Sequence, residues 1–268
     1  MESKRPEKTV YLESADSTNT WLKNRMLSGA DPLAEDGTAV LARYQTAGRG
    51  RTGNSFASAD GGMYLSMVIG TEMLELNEIT SLTPKIAVAV SRALEETSGV
   101  LTGIKWVNDI ILDGKKLGGI LVEAGHLSEG RIPYVIAGIG INVNQESFPG
   151  EISDVAVSLK MRSGKTFSVE EIADAVLRHL DVLRKELKKK IRSEDSTESD
   201  CPDAYLKEYR EKCVTNGRTV CFERNGIRKV CTAERITEDY GLLVRHPDGT
   251  EEILRSGDVH VRGLEGYI

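Results

Sequence analysis

The sequence predicts an α/β (α+β) protein that ends in a small β-barrel of the SH3 type, on three observations. Up to about residue 165, short β-type runs alternate with segments of helical period. A long amphipathic helix follows. From about residue 214, five short β-type runs are separated by turn pairs. The expected domains are residues 1–212 and 213–268.

The elements follow in order. Residues 10–12 read as a strand, and 17–27 as a helix opened by the cap-type run Ser17-Thr18-Asn19. Residues 38–43 form a strand, 45–53 a glycine-rich loop, and 63–69 alternate as a strand. Residues 82–97 are helical: Ser81 is placed to cap them, Pro84 sits in the first turn and Gly99 lies just past the end. Residues 104–107 and 110–112 are short strand pieces. Asp113-Gly114 is a tight hairpin turn into 116–124. Residues 134–144 are nearly all apolar, which predicts a central strand. Ser168 with Glu171 fits a capping box, and Ile172, Val176, Leu180, Leu183 and Leu187 keep helical spacing. That helix is expected to end at Lys188-Lys189-Lys190, whose charges suit a helix C-terminus. Residues 193–200 are acidic and read as an exposed loop, and 202–211 as a short helix. The C-terminal strands are 219–222, 229–236, 242–245, 252–254 and 258–262. Their turns are Asn225-Gly226, Tyr240-Gly241, Asp248-Gly249 and Ser256-Gly257.

Composition excludes several classes. The 268 residues are 40% hydrophobic and 28% charged, which is ordinary for a globular chain and not for a disordered one. No run approaches the roughly 20 apolar residues that span a bilayer, and the N-terminus has no apolar stretch of signal-peptide length. A cytoplasmic location is therefore expected. The net charge of −6 disfavours general nucleic-acid binding, which clustered Lys and Arg drive. Cys201, Cys213, Cys221 and Cys231 form no CxxC pair, so they read as buried thiols rather than a zinc site. The four histidines, His126, His179, His246 and His260, are scattered and read as structural or exposed.

Gly48-Arg49-Gly50-Arg51-Thr52-Gly53-Asn54-Ser55 matches GxGxxG and nearly matches a P-loop. The dinucleotide reading requires a helix to begin at these glycines, and the residues that follow are a poor helix start. The P-loop reading requires a lysine where Asn54 stands. A protein kinase is excluded by the absence of HRD and DFG motifs. What remains is a glycine loop with two planar, permanently charged forks, Arg49 and Arg51, suited to carboxylate or phosphate. Such a loop is expected to lack order when empty and to close over a small anion. Taken alone, it is equally compatible with a solvated basic surface loop.

Two further motifs bear on this choice. Lys105-Trp106-Val107-Asn108-Asp109-Ile110 leads through the Asp113-Gly114 turn into Lys116-Leu117-Gly118-Gly119-Ile120-Leu121-Val122-Glu123. Gly138-Ile139-Gly140-Ile141-Asn142-Val143-Asn144 places glycines inside an apolar strand, which often marks close approach by a ligand. In this order, together with Ser17-Thr18-Asn19 and Gln45-x-x-Gly-Arg-Gly-Arg-x-Gly, these motifs resemble the biotin–protein ligase family over nearly the whole chain.

The resemblance implies a central mixed β-sheet with flanking helices, of the kind shared with class II aminoacyl-tRNA synthetases. It implies formation of biotinyl-5′-AMP from biotin and ATP with Mg²⁺, then transfer to a lysine of a biotin carboxyl carrier protein. By the same resemblance Arg49, Arg51 and Lys116 are the charge-stabilising residues. Ser17, Thr18, Asn19, Gln45, Gly48, Arg49, Lys116, Gly119 and Gly138 are expected around biotin. Arg51, Asn54, Phe56, Lys105, Asn108, Ile139 and Asn142 are expected around ATP. Asp109 is a candidate Mg²⁺ ligand or a turn-stabilising carboxylate, Trp106 reads as core, and a homodimer through the central sheet is a further implication.

Three positions depart from the family pattern. Asn54 stands where a basic residue is usual, Phe56 replaces a tryptophan that some members stack on adenine, and Val107 takes a proline position. Only 16 residues precede Ser17, against roughly 60 for a small independent domain, so no DNA-binding repressor domain is expected. The alternatives are a lipoate–protein ligase of the same superfamily, a biotin-binding protein without turnover, and an RNA- or DNA-binding protein using the arginine loop and the small barrel. The −6 charge and the lack of an aromatic platform weigh against the last.

Overall fold

The apolar alternation of the first half of the chain resolves into a seven-stranded sheet of order β1-β2-β3-β7-β6-β5-β4. Its strands are β1 (Thr9–Ala15), β2 (Ala39–Gln45), β3 (Gly62–Gly70), β4 (Gly103–Lys105), β5 (Asp109–Leu112), β6 (Lys115–Ala124) and β7 (Tyr134–Asn142). The β1–β2 pair is parallel and the other pairs are antiparallel, so the sheet is mixed as expected. The computed structural model describes residues 8–28, 35–71, 74–125, 132–192, 203–224, 226–255, 261–263 and 267–268.

Strand β7, apolar along nearly its whole length, holds the middle of the sheet between β3 and β6. Its odd positions Val135, Ala137, Ile139 and Ile141 enter the main core. That core includes α3 (Leu82–Ser98) and α5 (Val169–Arg192), which pack on each other and on this face. Side chains alternate faces along a strand, so Ile136, Gly138, Gly140 and Asn142 point the other way. There α1 (Thr18–Ser28) covers the sheet through Leu22, which packs with Val40, Val68 and Ile136. Helix α1 covers only part of that face. The two β7 glycines lie where the face would otherwise carry side chains.

Local signals act as the sequence predicts at several ends. Gly99 closes α3 in the left-handed region at φ 70°. Asp113 and Gly114 are both left-handed, at φ 49° and 77°, as a two-residue hairpin turn requires. Ser168 Oγ accepts from the Glu171 amide at 3.1 Å, one half of the expected capping box. Ser81 differs. It sits at the start of α3, but its hydroxyl donates to Glu78 O at 2.7 Å, because α2 (Leu76–Thr80) leads directly into α3. Helix α5 continues two residues beyond the lysine run, to Arg192, and a short α4 (Leu159–Ser163) precedes it. The acidic run 193–200 and the Ser256-Gly257 turn lie outside the described residues.

After α6 (Ala204–Lys212), β8 (Thr219–Arg224), β9 (Ile227–Ile236), β10 (Leu242–Arg245), β11 (Glu251–Leu254) and β12 (Arg262–Gly263) form an antiparallel sheet of order β11-β10-β9-β8-β12. The five strands match the number read from the sequence, although residues 258–260 of the expected last strand lie outside the described residues. Among the described residues β11 and β12 do not pair, so the sheet is open rather than a closed barrel. Cys213, Cys221 and Cys231 are buried free thiols; Cys201 lies outside the described residues. The His179 and His246 ring nitrogens each lie 3.0 Å from a glutamate, Glu96 and Glu252, while His126 and His260 fall outside the described residues.

The second sheet touches the first at the segment that leads into β5. Thr215 Oγ1 accepts from the Trp106 amide at 2.9 Å, Tyr240 O from Trp106 Nε1 at 3.0 Å, and Val107 O from the buried Tyr209 hydroxyl at 3.2 Å. Trp106 is thus core, as expected, and it is also an indole donor with a partner, the usual condition for burying one. The peptide between Trp106 and Val107 is cis.

Candidate active site

A cavity of about 410 Å³ lies over the face of β7 that carries Gly138 and Gly140. It is walled by the start of α1, the loop 49–56, the segment 105–109 and β6, and by Val261, Gly263 and Tyr267 from the second sheet and beyond. Among the described residues four cations line it, Arg49, Arg51, Lys105 and Lys116, against one carboxylate, Asp109. In a chain with a net charge of −6, this concentrates positive charge at one concave spot.

The lining divides into two hydrogen-bonded networks. The first joins α1 to the sheet. Gln45 Oε1 accepts from the Thr18 amide at 2.9 Å and from its hydroxyl at 3.2 Å, and Gln45 Nε2 donates to Ser58 Oγ at 2.8 Å. Ser66 Oγ on β3 sits 2.7 Å from Thr18 Oγ1 and 2.6 Å from Asn19 Oδ1. Asn19 Nδ2 donates to Glu123 Oε2 at 2.8 Å and lies 3.3 Å from Leu121 O. The other Glu123 oxygen lies 3.2 Å from an Arg49 guanidinium nitrogen.

The second network joins β5, β6 and the loop. Lys116 Nζ donates to Asp109 Oδ1 at 2.7 Å, and Arg51 donates to Asn108 Oδ1 at 3.2 Å. Tyr267 Oη donates to Asp109 Oδ2, and Lys105 Nζ donates to Tyr267 O at 2.5 Å. Lys105 Nζ also lies 4.0 Å from the Tyr267 ring centroid. Burial pushes the Arg51 guanidinium below its ordinary value, opposed by the Asp109 carboxylate, but an arginine remains charged.

Each of the four lining cations therefore rests on a protein acceptor: Arg49 on Glu123, Arg51 on Asn108, Lys105 on Tyr267 O and Lys116 on Asp109. A ligand carrying a carboxylate or phosphates can exchange for these acceptors. Among the described residues no histidine lines the cavity, and none stands beside the hydroxyls of Ser17, Thr18 and Ser55 as the base of a nucleophilic triad would.

Of the residues expected around the two ligands, Ser17, Thr18, Asn19, Gln45, Arg49, Arg51, Asn54, Phe56, Lys105, Asn108, Ile139, Lys116, Gly119 and Gly138 all line this one cavity. Two do not. Asn142 is buried beneath it, its amide donating to Val157 O at 3.1 Å, so it ties β7 to the following loop rather than facing a nucleotide. Gly48 lies behind the loop: a Cβ there would fall 2.3 Å from Ser58 Oγ and 2.5 Å from Phe56 O.

The strand glycines also serve neighbours inside the protein. A Cβ on Gly138 would fall 2.3 Å from Asn19 Oδ1, and one on Gly140 2.7 Å from the Phe56 ring. A Cβ on Gly119 would sit 3.2 Å from Asp109 Oδ1. These glycines admit the side chains that build the site. The arginine loop is not without order: Arg49 and Ser55 form a β-bridge, and Arg51–Gly53 make a 3-10 turn. Asn54 closes that turn, its amide group donating to Arg51 O at 3.0 Å. The Phe56 ring centroid lies 6.0 Å from Lys116 Nζ.

Asp109, considered as a metal ligand or a turn-stabilising carboxylate, is tied to neighbours through both oxygens in this structure. One of its oxygens holds Lys116 and the other Tyr267, and no group of three or more potential metal-ligating side chains occurs among the described residues. Four polar participants were not singled out from sequence: Ser58, Ser66, Glu123 and Tyr267. Glu123 ends a motif already noted, and its place two residues past Leu121 on the same strand face was the available signal. Nothing in the linear pattern points to Tyr267.

Fold and cavity together define a class, a mixed-sheet protein with a cation-lined cavity over one central strand. The chain belongs to the biotin/lipoate A/B protein ligase family, whose model matches residues 11–142. The biotin–[acetyl-CoA-carboxylase] ligase of Mycobacterium tuberculosis is 32% identical over 252 residues, which cover 92% of this chain and 86% of that protein. The bifunctional ligase/repressor BirA of Bacillus spizizenii is 45% identical over 139 residues, 51% of this chain and 42% of that relative. The biotin protein ligase of Aquifex aeolicus, in complex with biotin and ATP, superposes with a TM-score of 0.77 at 28% identity, covering 96% of this chain and 99% of that one.

Proposed function

We propose that this chain is a biotin–protein ligase: it forms biotinyl-5′-AMP from biotin and ATP, then transfers biotin to a specific lysine of a biotin carboxyl carrier protein or domain. The observation that carries the reading is the placement of four cations around one cavity whose other end is a hydrogen-bonding network of Thr18, Asn19 and Gln45, tied down by Glu123. The names of the Mycobacterium and Aquifex relatives support it.

In the first step a biotin carboxylate oxygen attacks the α-phosphorus of ATP. The bond from that phosphorus to the bridging oxygen breaks and pyrophosphate leaves. Two anions must meet, so fixed positive charge lowers the barrier. Lys116 exchanges Asp109 for the carboxylate and α-phosphate. Arg49 and Arg51 neutralise the same region from the loop, and Lys105 and Asn108 face the phosphates. Phe56 supplies apolar contact for the base. Mg²⁺ accompanies ATP as its counter-ion. In the second step a neutral lysine amine of the carrier attacks the acyl carbon, AMP leaves and an amide forms. No enzyme nucleophile is needed, because the adenylate is already activated.

The hydrogen-bonding end favours biotin over lipoate. Thr18, Asn19 and Gln45 offer amide and hydroxyl groups that pair with a ureido ring. A dithiolane offers them no hydrogen-bond partner, so it gains nothing from this end of the cavity. Among the described residues no helix is long and apolar enough to cross a membrane. An ATP-driven reaction on a carrier protein belongs in the cytoplasm. The test is to incubate the protein with Mg-ATP, biotin and a carrier domain and to read the carrier by mass spectrometry. Addition of one biotinyl group at one lysine is expected; an unmodified carrier beside active control ligase refutes the proposal.

A further inference from the structure

Tyr267 lies 158 residues from Asp109 in sequence, yet the two share a hydrogen bond inside the cavity. The phenol donates to one Asp109 oxygen while the other oxygen accepts Lys116 at 2.7 Å. A carboxylate held on one oxygen cannot rotate freely, so the phenol sets where Asp109 presents its second oxygen and hence where Lys116 rests. The backbone of the same residue acts on the other lysine, since Tyr267 O accepts Lys105 Nζ at 2.5 Å. The ring centroid lies 4.0 Å from Lys105 Nζ and 5.9 Å from Lys116 Nζ, within range of cation–π attraction for both. Burial, with Asp109 alongside, pushes the phenol well above its ordinary pKa, so it stays a donor at neutral pH.

Resting on the reading above, we infer that Tyr267 is a positioning residue for the nucleotide half of the site, through which the C-terminal part of the chain sets Lys105 and Lys116 for adenylation. Its own placement depends on Gly263, where a Cβ would fall 2.1 Å from Ile268 O and 2.2 Å from its carbonyl carbon. Backbone cannot yield as a flexible side chain does, so a side chain at 263 displaces the residue next to Tyr267.

The experiment compares wild type, Tyr267→Phe, Tyr267→Ala and Gly263→Ala by calorimetry with a non-hydrolysable ATP analogue and by pyrophosphate release. Tyr267→Phe keeps the ring and loses the phenol. It should weaken analogue binding about 5-fold and lower kcat for adenylation about 10-fold, with biotin affinity at its wild-type value. Tyr267→Ala and Gly263→Ala should be worse on the ATP side alone. Wild-type analogue affinity and kcat in Tyr267→Phe would overturn the inference and leave the ligase assignment standing. Tighter analogue binding in Tyr267→Ala would overturn it too, by showing the tail to be a plug. A wild-type protein that neither binds the analogue nor releases pyrophosphate would overturn the ligase assignment itself, and the inference with it.

Discussion

Gly138→Ala is the smallest change that should separate the two halves of the site. The added methyl would fall 2.3 Å from Asn19 Oδ1 and 2.8 Å from Asn19 Cγ. Gly138 cannot retreat, because β7 is bonded on both sides, opposite Ser66 of β3 and Leu121 of β6. Asn19 must withdraw, losing its 2.6 Å contact with Ser66 Oγ and its 2.8 Å bond to Glu123. Overpacking a core costs about 1–3 kcal/mol, and a hydrogen bond to a charged group contributes about 1.5–3 kcal/mol. A net loss of about 3 kcal/mol lowers Tm by roughly 6–12 °C for a chain of this size. With Asn19 out of register, biotin affinity should fall at least about tenfold, a loss of about 1.4 kcal/mol. ATP-analogue affinity should hold, since the second network is untouched. Differential scanning calorimetry and titration with each ligand measure all three quantities. A Gly138→Ala protein with wild-type Tm and biotin affinity would refute the claim that this glycine exists to admit Asn19.

Other expectations follow from the same geometry. Lys116→Ala should slow pyrophosphate release about 10²- to 10³-fold while leaving Tm nearly unchanged, as stopped assays and calorimetry can show. Arg49→Ala should weaken biotin capture and speed loss of the adenylate from the enzyme; unchanged retention in a rapid-filtration assay counts against a loop role. Burial raises the Asp36 carboxyl, but hydrogen bonds from Lys188, the Gly70 amide and Arg184 outweigh it, and its pKa lies below the ordinary 3.8. Its contribution to stability is therefore fully present above pH 3.8 and is lost as pH falls through the depressed folded value. Asp36→Asn should lower Tm at pH 7 and flatten the decline of Tm toward pH 3; parallel curves for the two proteins would contradict this.

Local signals in the sequence were legible where the chain decides its own conformation. The Asp113-Gly114 turn, the Gly99 stop and the apolar run that became central β7 depend on neighbouring residues or on burial of a continuous segment. The site was legible as a set of motifs, because a ligand-facing loop, a hairpin and a glycine-bearing strand each carry their chemistry within a few residues. What escaped were effects that depend on who stands opposite. Asn142 has the residue type of a nucleotide contact, but the loop at Val157 claims its amide. Gly138 and Gly140 mark close approach, by Asn19 and Phe56 from distant segments. Ser81 has the composition of a cap, but the preceding short helix takes its hydroxyl. Tyr267 reaches the cavity only through the packing of the second sheet on the first, which no spacing rule encodes.

The most direct test of the central claim is pyrophosphate release from Mg-ATP by the purified protein, with biotin, with lipoate and with neither. Release that requires biotin and is absent with lipoate is the predicted result. Release with lipoate alone would contradict the match of the Thr18, Asn19 and Gln45 network to a ureido ring, and release with neither acid above background would contradict the assignment of the four-cation cavity to biotin adenylation.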